Sequence, residues 1–237
     1  MGRRVPACRA VGFDLDDTLY PERAYVLSGF EAVARWGAAE LGQPAEQTAA
    51  ELRALFEAGV RRDTFDRWLA SKRLPVAGNR DRMLEAYRSH RPRLEPYRDV
   101  RPSLERLRRA YRLGLATEGA DRVQEAKLEA LGLRSFFSAV VILGETERQH
   151  WKPEPWPLER LAEALEVRPA EMVYAGDNPA KDFAAARRAG MTSVRLRRPD
   201  GLHAAEEPVG PKAAPDVEVA DMQGLEGWLN RGGAGRG

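Results

Sequence analysis

The chain has 237 residues, with 38 Lys and Arg against 36 Asp and Glu, a formal net charge of +2 and 43% hydrophobic residues. That length holds one large domain or two small ones with a self-sufficient core, and the composition excludes global disorder, a collagen repeat and a coiled coil. The balanced charge argues against a nucleic-acid partner, and a single cysteine, Cys8, excludes an intramolecular disulfide or a multi-thiolate zinc cage.

No apolar stretch reaches about 18 residues, so no membrane helix is expected. Arg3 and Arg4 precede an apolar run that stops at Asp14, too short for a secretory signal, and Pro6 removes a myristoylation pattern. The expected setting is the cytoplasm, with no membrane partner and a monomer or homodimer as the assembly.

In chain order, residues 8–13 read as a short buried strand that runs into Asp14, Asp16 and Asp17. From about 25 to 90 the apolar residues Val26, Phe30, Val33 and Leu41 follow a helical period. Pro44, Pro75 and Gly78 divide that block into four helices. After Pro96 the texture alternates. Pro102 opens a helix, residues 113–117 form a strand, and Asp121 caps a helix that ends at Gly132. Strands at 139–143, 172–175, 192–196 and 216–219 are separated by helices at 157–165 and 180–189. Residues 198–215 read as a loop and 231–237 as a disordered tail. Alternation of this kind predicts an α/β fold, a doubly wound parallel sheet. The core would comprise residues 1–20 and 97–230, with residues 21–96 as an α-helical insertion after the first strand.

Ligands of open α/β sheets bind outside the carboxyl ends of the strands. There this chain carries Asp14, Asp16, Asp17 and Thr18, then Thr117 and Glu118, then Lys152, then Asp177 and Asp182. Converging carboxylates repel one another unless a cation joins them, and their oxygens suit Mg²⁺. A lysine and a hydroxyl beside that ion suit a phosphoryl group. A carboxylate can be the nucleophile, and a second one two residues on can act as acid and then base.

Asp14-Leu15-Asp16-Asp17-Thr18-Leu19, Thr117, Lys152-Pro153 and Gly176-Asp177 with Asp182 resemble the four ordered motifs of the haloacid dehalogenase-like hydrolase superfamily. The insertion resembles its subclass with a helical cap between motifs one and two. The resemblance implies Asp14 as nucleophile and Asp16 as general acid/base. It implies Mg²⁺ held by Asp14, the backbone carbonyl of Asp16, Asp177 and Asp182. Thr117, the backbone N–H of Glu118 and Lys152 would bind the phosphoryl oxygens, and Thr18 would brace the first motif. Glu118 departs from the Asn or Asp common at its position, which leaves the backbone role intact and the side-chain role open. The implied activity is a phosphatase acting on a small phosphomonoester. The alternatives are a phosphomutase of the same superfamily, and a receiver-like phosphoacceptor or silent interaction protein. A dehalogenase would not need Asp16. Specificity is expected from the cap, where Arg23, Tyr25, Arg35, Trp36, Trp68 and Arg73 are the candidates and a packing or solvated role is the leading expectation for each. Trp36 and Trp68 are expected in the cap core, Lys181 on a helix surface, and His150 in a surface or packing role.

Overall fold

In the computed structural model, which describes residues 8–232, six parallel strands form one sheet in the order β3-β2-β1-β4-β5-β6. β1 (Ala10–Phe13) lies between β2 (Arg112–Glu118) and β4 (Met172–Gly176). β3 (Ala139–Leu143) flanks β2, while β5 (Thr192–Leu196) and β6 (Val217–Val219) extend the sheet beyond β4. Strand order reverses direction between β1 and β4, the kind of switch point that opens a crevice at the carboxyl ends. The register opposes Phe13 to both Leu115 and Ala175, and the Asp14 N–H donates to the Ala175 carbonyl at 2.9 Å. β4 therefore runs one residue and β2 three residues beyond the end of β1.

Four helices are inserted between β1 and β2: α1 (Glu22–Leu41), α2 (Ala45–Glu57), α3 (Thr64–Ser71) and α4 (Asn79–Ser89). Residues 8–22 with 94–232 form one compact unit and residues 23–93 another. The inserted unit has its own aromatic core. Phe30 meets Phe56 and Phe65 edge-on at 6.1 and 6.2 Å between ring centres, and Tyr87 lies 5.8 Å from Phe65. Trp68 is fully buried and its indole N–H donates to Glu51 at 2.8 Å. Trp36 is only half-buried, so it is not the core residue the sequence suggested.

The sheet unit carries α5 (Val100–Leu107), α6 (Asp121–Leu131), α7 (Trp156–Ala164), α8 (Asp182–Ala189) and α9 (Met222–Asn230). Helix α7 lies close over β2 because Gly114 has no side chain. A Cβ there would stand 2.8 Å from Leu165 Cδ1 and 2.9 Å from Leu161 Cδ1. Among the described residues no helix is long and apolar enough to cross a membrane.

Several boundaries differ from expectation. Helix α5 starts at Val100 rather than Pro102, since a proline fits the first turn, where its missing N–H is not needed. Ala120, not Asp121, stands at the N-cap of α6. Helix α8 starts at Asp182 rather than Ala180, because the Asn178 side chain accepts the Ala180 N–H at 2.9 Å and holds a turn before it. Helix α9 was not foreseen. Its Gly224 and Gly227 weaken the helical pattern, and the Asp221 side chain compensates by capping it through the Gly224 N–H at 2.7 Å. Of the expected disordered tail, residues 233–237 lie outside the described residues, as do Arg3, Arg4 and Pro6.

Candidate active site

The crevice at the carboxyl ends of β1, β2 and β4 is a cavity of about 370 Å³, lined by Asp14, Asp16, Thr117, Lys152, Asp177 and Asp182 among others. The chain reaches it through short turns directly after each strand, so the sheet sets their spacing.

After β1 the chain turns at Asp17, a non-glycine residue in the left-handed region (φ 53°). Its carboxylate accepts the N–H groups of Glu22 at 2.8 Å and Leu202 at 2.7 Å, which holds the turn closed. Thr18 donates to Asp177 Oδ1 at 3.3 Å, joining the turn after β1 to that after β4. Both residues act as braces around Asp14.

Lys152 arrives from the loop before α7 with its side chain buried. Its ammonium donates to Asp14 at 2.6 Å, Asp182 at 2.7 Å and the Tyr174 hydroxyl at 3.0 Å. Burial opposes its charge, but the Asp14 and Asp182 carboxylates outweigh that and hold its pKa well above the ordinary lysine value.

Asp14, Asp177 and Asp182 each offer an oxygen to one point, all within 4.8 Å of one another. Asp182 opens α8 and accepts the Asn178 N–H at 3.0 Å. Asp177 Oδ2 is buried and accepts no hydrogen bond from the described protein. Burial, then the Asp182 and Asp14 charges, drive the Asp177 carboxyl far above its usual range. An all-oxygen donor set with one unpartnered buried oxygen and strong mutual repulsion fits a hard divalent cation. The Asp16 carboxylate stands outside this group of three.

Asp16 is held separately. Lys127 donates to its two oxygens at 2.7 and 2.9 Å, Gln124 reaches Oδ2 at 3.3 Å, and the Tyr20 hydroxyl donates to Oδ1. Burial alone would raise its pKa, but Lys127 and these donors hold it below the usual carboxylate value. Asp14 is the opposite case. Burial raises it, Lys152 pulls it back, and Asp182 and Asp16 push it up again, to about 7. Glu22, a further lining residue, is pushed up to about 8 by burial and by Asp16.

Thr117, the last residue but one of β2, accepts from the Gln124 amide at 2.5 Å, leaving its own O–H hydrogen for a ligand. The Gln124 amide also donates to the Glu118 carbonyl at 2.9 Å, and these acceptors fix which end of it faces the site. The Glu118 side chain, at the cavity wall, is engaged by the protein itself. One oxygen accepts the backbone N–H of Lys152 and the other lies 3.6 Å from Lys181. The extra methylene relative to Asp lets it tie down the loop that bears Lys152. Lys181 is thus a lining residue just before α8 rather than a surface helix residue. His150 stacks on Trp156 with ring centres 5.2 Å apart, a packing role.

Sequence reasoning missed Gln124, Lys127, Glu22 and His203, all of which line the cavity. A signal for two of them existed. The buried residues of α6 are Val123, Gln124, Lys127, Leu128 and Leu131, so an amide and an ammonium sit on its inward stripe. His203 had no local signal. It stands in the 198–215 loop, where the wholly buried Arg195 donates to its carbonyl at 2.9 Å.

The chain matches the haloacid dehalogenase-like hydrolase family over residues 11–196. It is 32% identical over 244 residues to the glyceraldehyde 3-phosphate phosphatase of Methanopyrus kandleri, covering 89% of this chain and 92% of that protein. Among solved structures it resembles a HAD phosphatase from Thermococcus onnurineus, with a TM-score of 0.62 and 28% identity over 93% of this chain and 97% of the other. A 2-haloacid dehalogenase from Pseudomonas syringae pv. Tomato DC3000 is similar at a TM-score of 0.61 and 24% identity over 94% of this chain and 99% of the other, which speaks for the fold alone. The sheet order, the helices inserted after β1 and the match across most of the chain make this protein a member of the haloacid dehalogenase-like hydrolase family.

Proposed function

We propose that this chain is a Mg²⁺-dependent phosphatase that hydrolyses a small phosphomonoester through an aspartyl-phosphate on Asp14, with residues 21–96 as its cap. The observation that carries the reading is the convergence of Asp14, Asp177 and Asp182, with oxygens within 4.8 Å of one another, beside the buried Lys152 ammonium. Asp14 has its own lysine, Lys152 at 2.6 Å, and Asp16 has another, Lys127 at 2.7 Å. Separate lysines hold the two carboxylates in separate places, one for attack on phosphorus and one for proton transfer.

As Asp14 attacks phosphorus and the bond to the leaving oxygen breaks, the proton that the phosphomonoester monoanion brings passes through Asp16 to that oxygen. Water then bonds to phosphorus, its proton passes to Asp16, and the bond to Asp14 breaks to release phosphate. Lys152, the Thr117 hydroxyl and the Glu118 N–H take the charge on the phosphoryl oxygens. Asp14, the Asp16 carbonyl, Asp177 and Asp182 would hold Mg²⁺, which when bound neutralises charge on the phosphoryl group and the surrounding carboxylates.

The test is phosphate release from p-nitrophenyl phosphate and from a panel of small sugar, triose and organic-acid phosphates, with Mg²⁺ and with EDTA. Glyceraldehyde 3-phosphate belongs in that panel because a relative is named for it. Mg²⁺-dependent release supports the reading. Full activity in EDTA overturns the metal assignment, and transfer to a second hydroxyl without free phosphate makes the protein a mutase.

A further inference from the structure

On the phosphatase reading above, we propose that Lys127 is a positioning residue for the leaving-group chemistry, holding the Asp16 carboxylate in the crevice against repulsion from its acidic neighbours. Lys127 and Asp16 are 111 residues apart in sequence and meet only in the fold. The lysine is 5% exposed, on the inward face of α6. A lysine is rarely buried this far without an anionic partner. Its ammonium bridges both Asp16 oxygens, at 2.7 and 2.9 Å, which fixes the plane of the carboxylate as well as its place. Asp14, Glu22 and Asp177 line the same cavity and repel Asp16. Lys152 is already committed to Asp14 and Asp182, so it does not offset that repulsion. Gln124, three residues before Lys127 on the same helix, adds a neutral donor to Asp16 at 3.3 Å.

Asp16 relays the proton of the bound phosphomonoester monoanion to the leaving oxygen as the phosphorus–oxygen bond breaks. It takes one from water as the phosphorus–Asp14 bond breaks. A nitrophenolate leaves without that proton and an alkoxide does not, so displacing Asp16 separates the two substrates. The experiment compares first-turnover and steady-state hydrolysis of p-nitrophenyl phosphate with that of the best alkyl phosphate of the panel, using the full chain in Mg²⁺. Lys127→Met is expected to give a fast release of one nitrophenolate per protein, followed by a steady state slowed tenfold or more. Its alkyl phosphate turnover should fall by about 10²-fold, the lower end of what proton transfer supplies. Because Lys127 acts through Asp16, Lys127→Met added to Asp16→Asn should slow the enzyme by less than about twofold further. Should Lys127→Met not fold, Lys127→Gln, which keeps a neutral donor to Asp16, is expected to show the same split. Equal losses in the burst, the steady state and the alkyl phosphate would overturn the assignment, as would a double variant in which the two losses multiply. A wild-type protein inactive on every phosphate in Mg²⁺ would remove the phosphatase reading, and this inference with it.

Discussion

Asp14 lies under opposing influences: burial and the Asp182 and Asp16 charges raise its pKa to about 7, while Lys152 at 2.6 Å favours the carboxylate that a nucleophile needs. Asp14→Asn replaces the nucleophilic carboxylate with an amide, which does not form the proposed acyl phosphate, and phosphate release at saturating substrate should fall by about 10³-fold or more. Retention of activity within tenfold would take the nucleophile's role away from Asp14. At Glu118 the expectation concerns a backbone contact. Its carboxylate accepts the Lys152 N–H, and a lost hydrogen bond to a buried charged group costs roughly 1.5–3 kcal/mol. Glu118→Ala should therefore lower kcat/KM on p-nitrophenyl phosphate by about tenfold or more through loosening of the loop. Glu118→Gln keeps an acceptor oxygen and should lose much less. Equal losses in the two variants would mean that the charge facing Lys181, not the accepted N–H, is what matters.

Between residues and the whole fold, the turn from β4 into α8 is the tightest joint in the site. A Cβ on Gly176 would stand 2.4 Å from Asp182 Oδ2 and 2.6 Å from its Cγ. Asp182 has little room to yield, because Lys152 and the Asn178 N–H grip its oxygens on either side. Gly176→Ala should push that carboxylate away from Asp14 and Asp177, and the Mg²⁺ concentration for half-maximal activity should rise severalfold. An unchanged Mg²⁺ titration would show that Asp182 relaxes without disturbing the cluster. Helix α6 reverses the usual pattern of an amphipathic helix: its inward stripe carries Gln124 and Lys127 among leucines, and both contact the site.

Across the whole molecule, the crowded carboxylates make stability depend on pH and on metal. In the folded, metal-free chain Asp14 titrates near 7 and Glu22 near 8, both above their ordinary values. The folded state therefore binds protons that the unfolded chain has lost once pH passes about 4, and stability falls as pH rises toward 8. Below about pH 4 both groups are protonated in either state and the penalty is absent. Thermal melts in EDTA should thus give a lower Tm at pH 8 than at pH 5.5. Mg²⁺ should raise Tm more at pH 8, where the carboxylates are ionised and bind it best. A Mg²⁺ shift equal at both pH values would contradict this linkage.

The alternation of strands and helices, the helical insertion and the positions of Asp14, Thr117, Lys152 and Asp177 at strand ends or in the adjoining loop were all legible in the sequence. Each depends on short-range patterns: hydrophobic period, turn residues, and motifs that follow a strand within a few positions. Helix α9 escaped because two glycines mask its period, and its Asp221 cap is a single contact. The partners of Asp16 and Glu118 escaped for a different reason. Lys127 finds Asp16 across 111 residues, and the Lys152 N–H finds Glu118 across 34. The sequence by itself determined which chemical groups the strand ends carry. Only the tertiary structure decided how they pair, because buried charges choose partners by distance and dielectric, and both exist only after the sheet has closed and water has left the crevice.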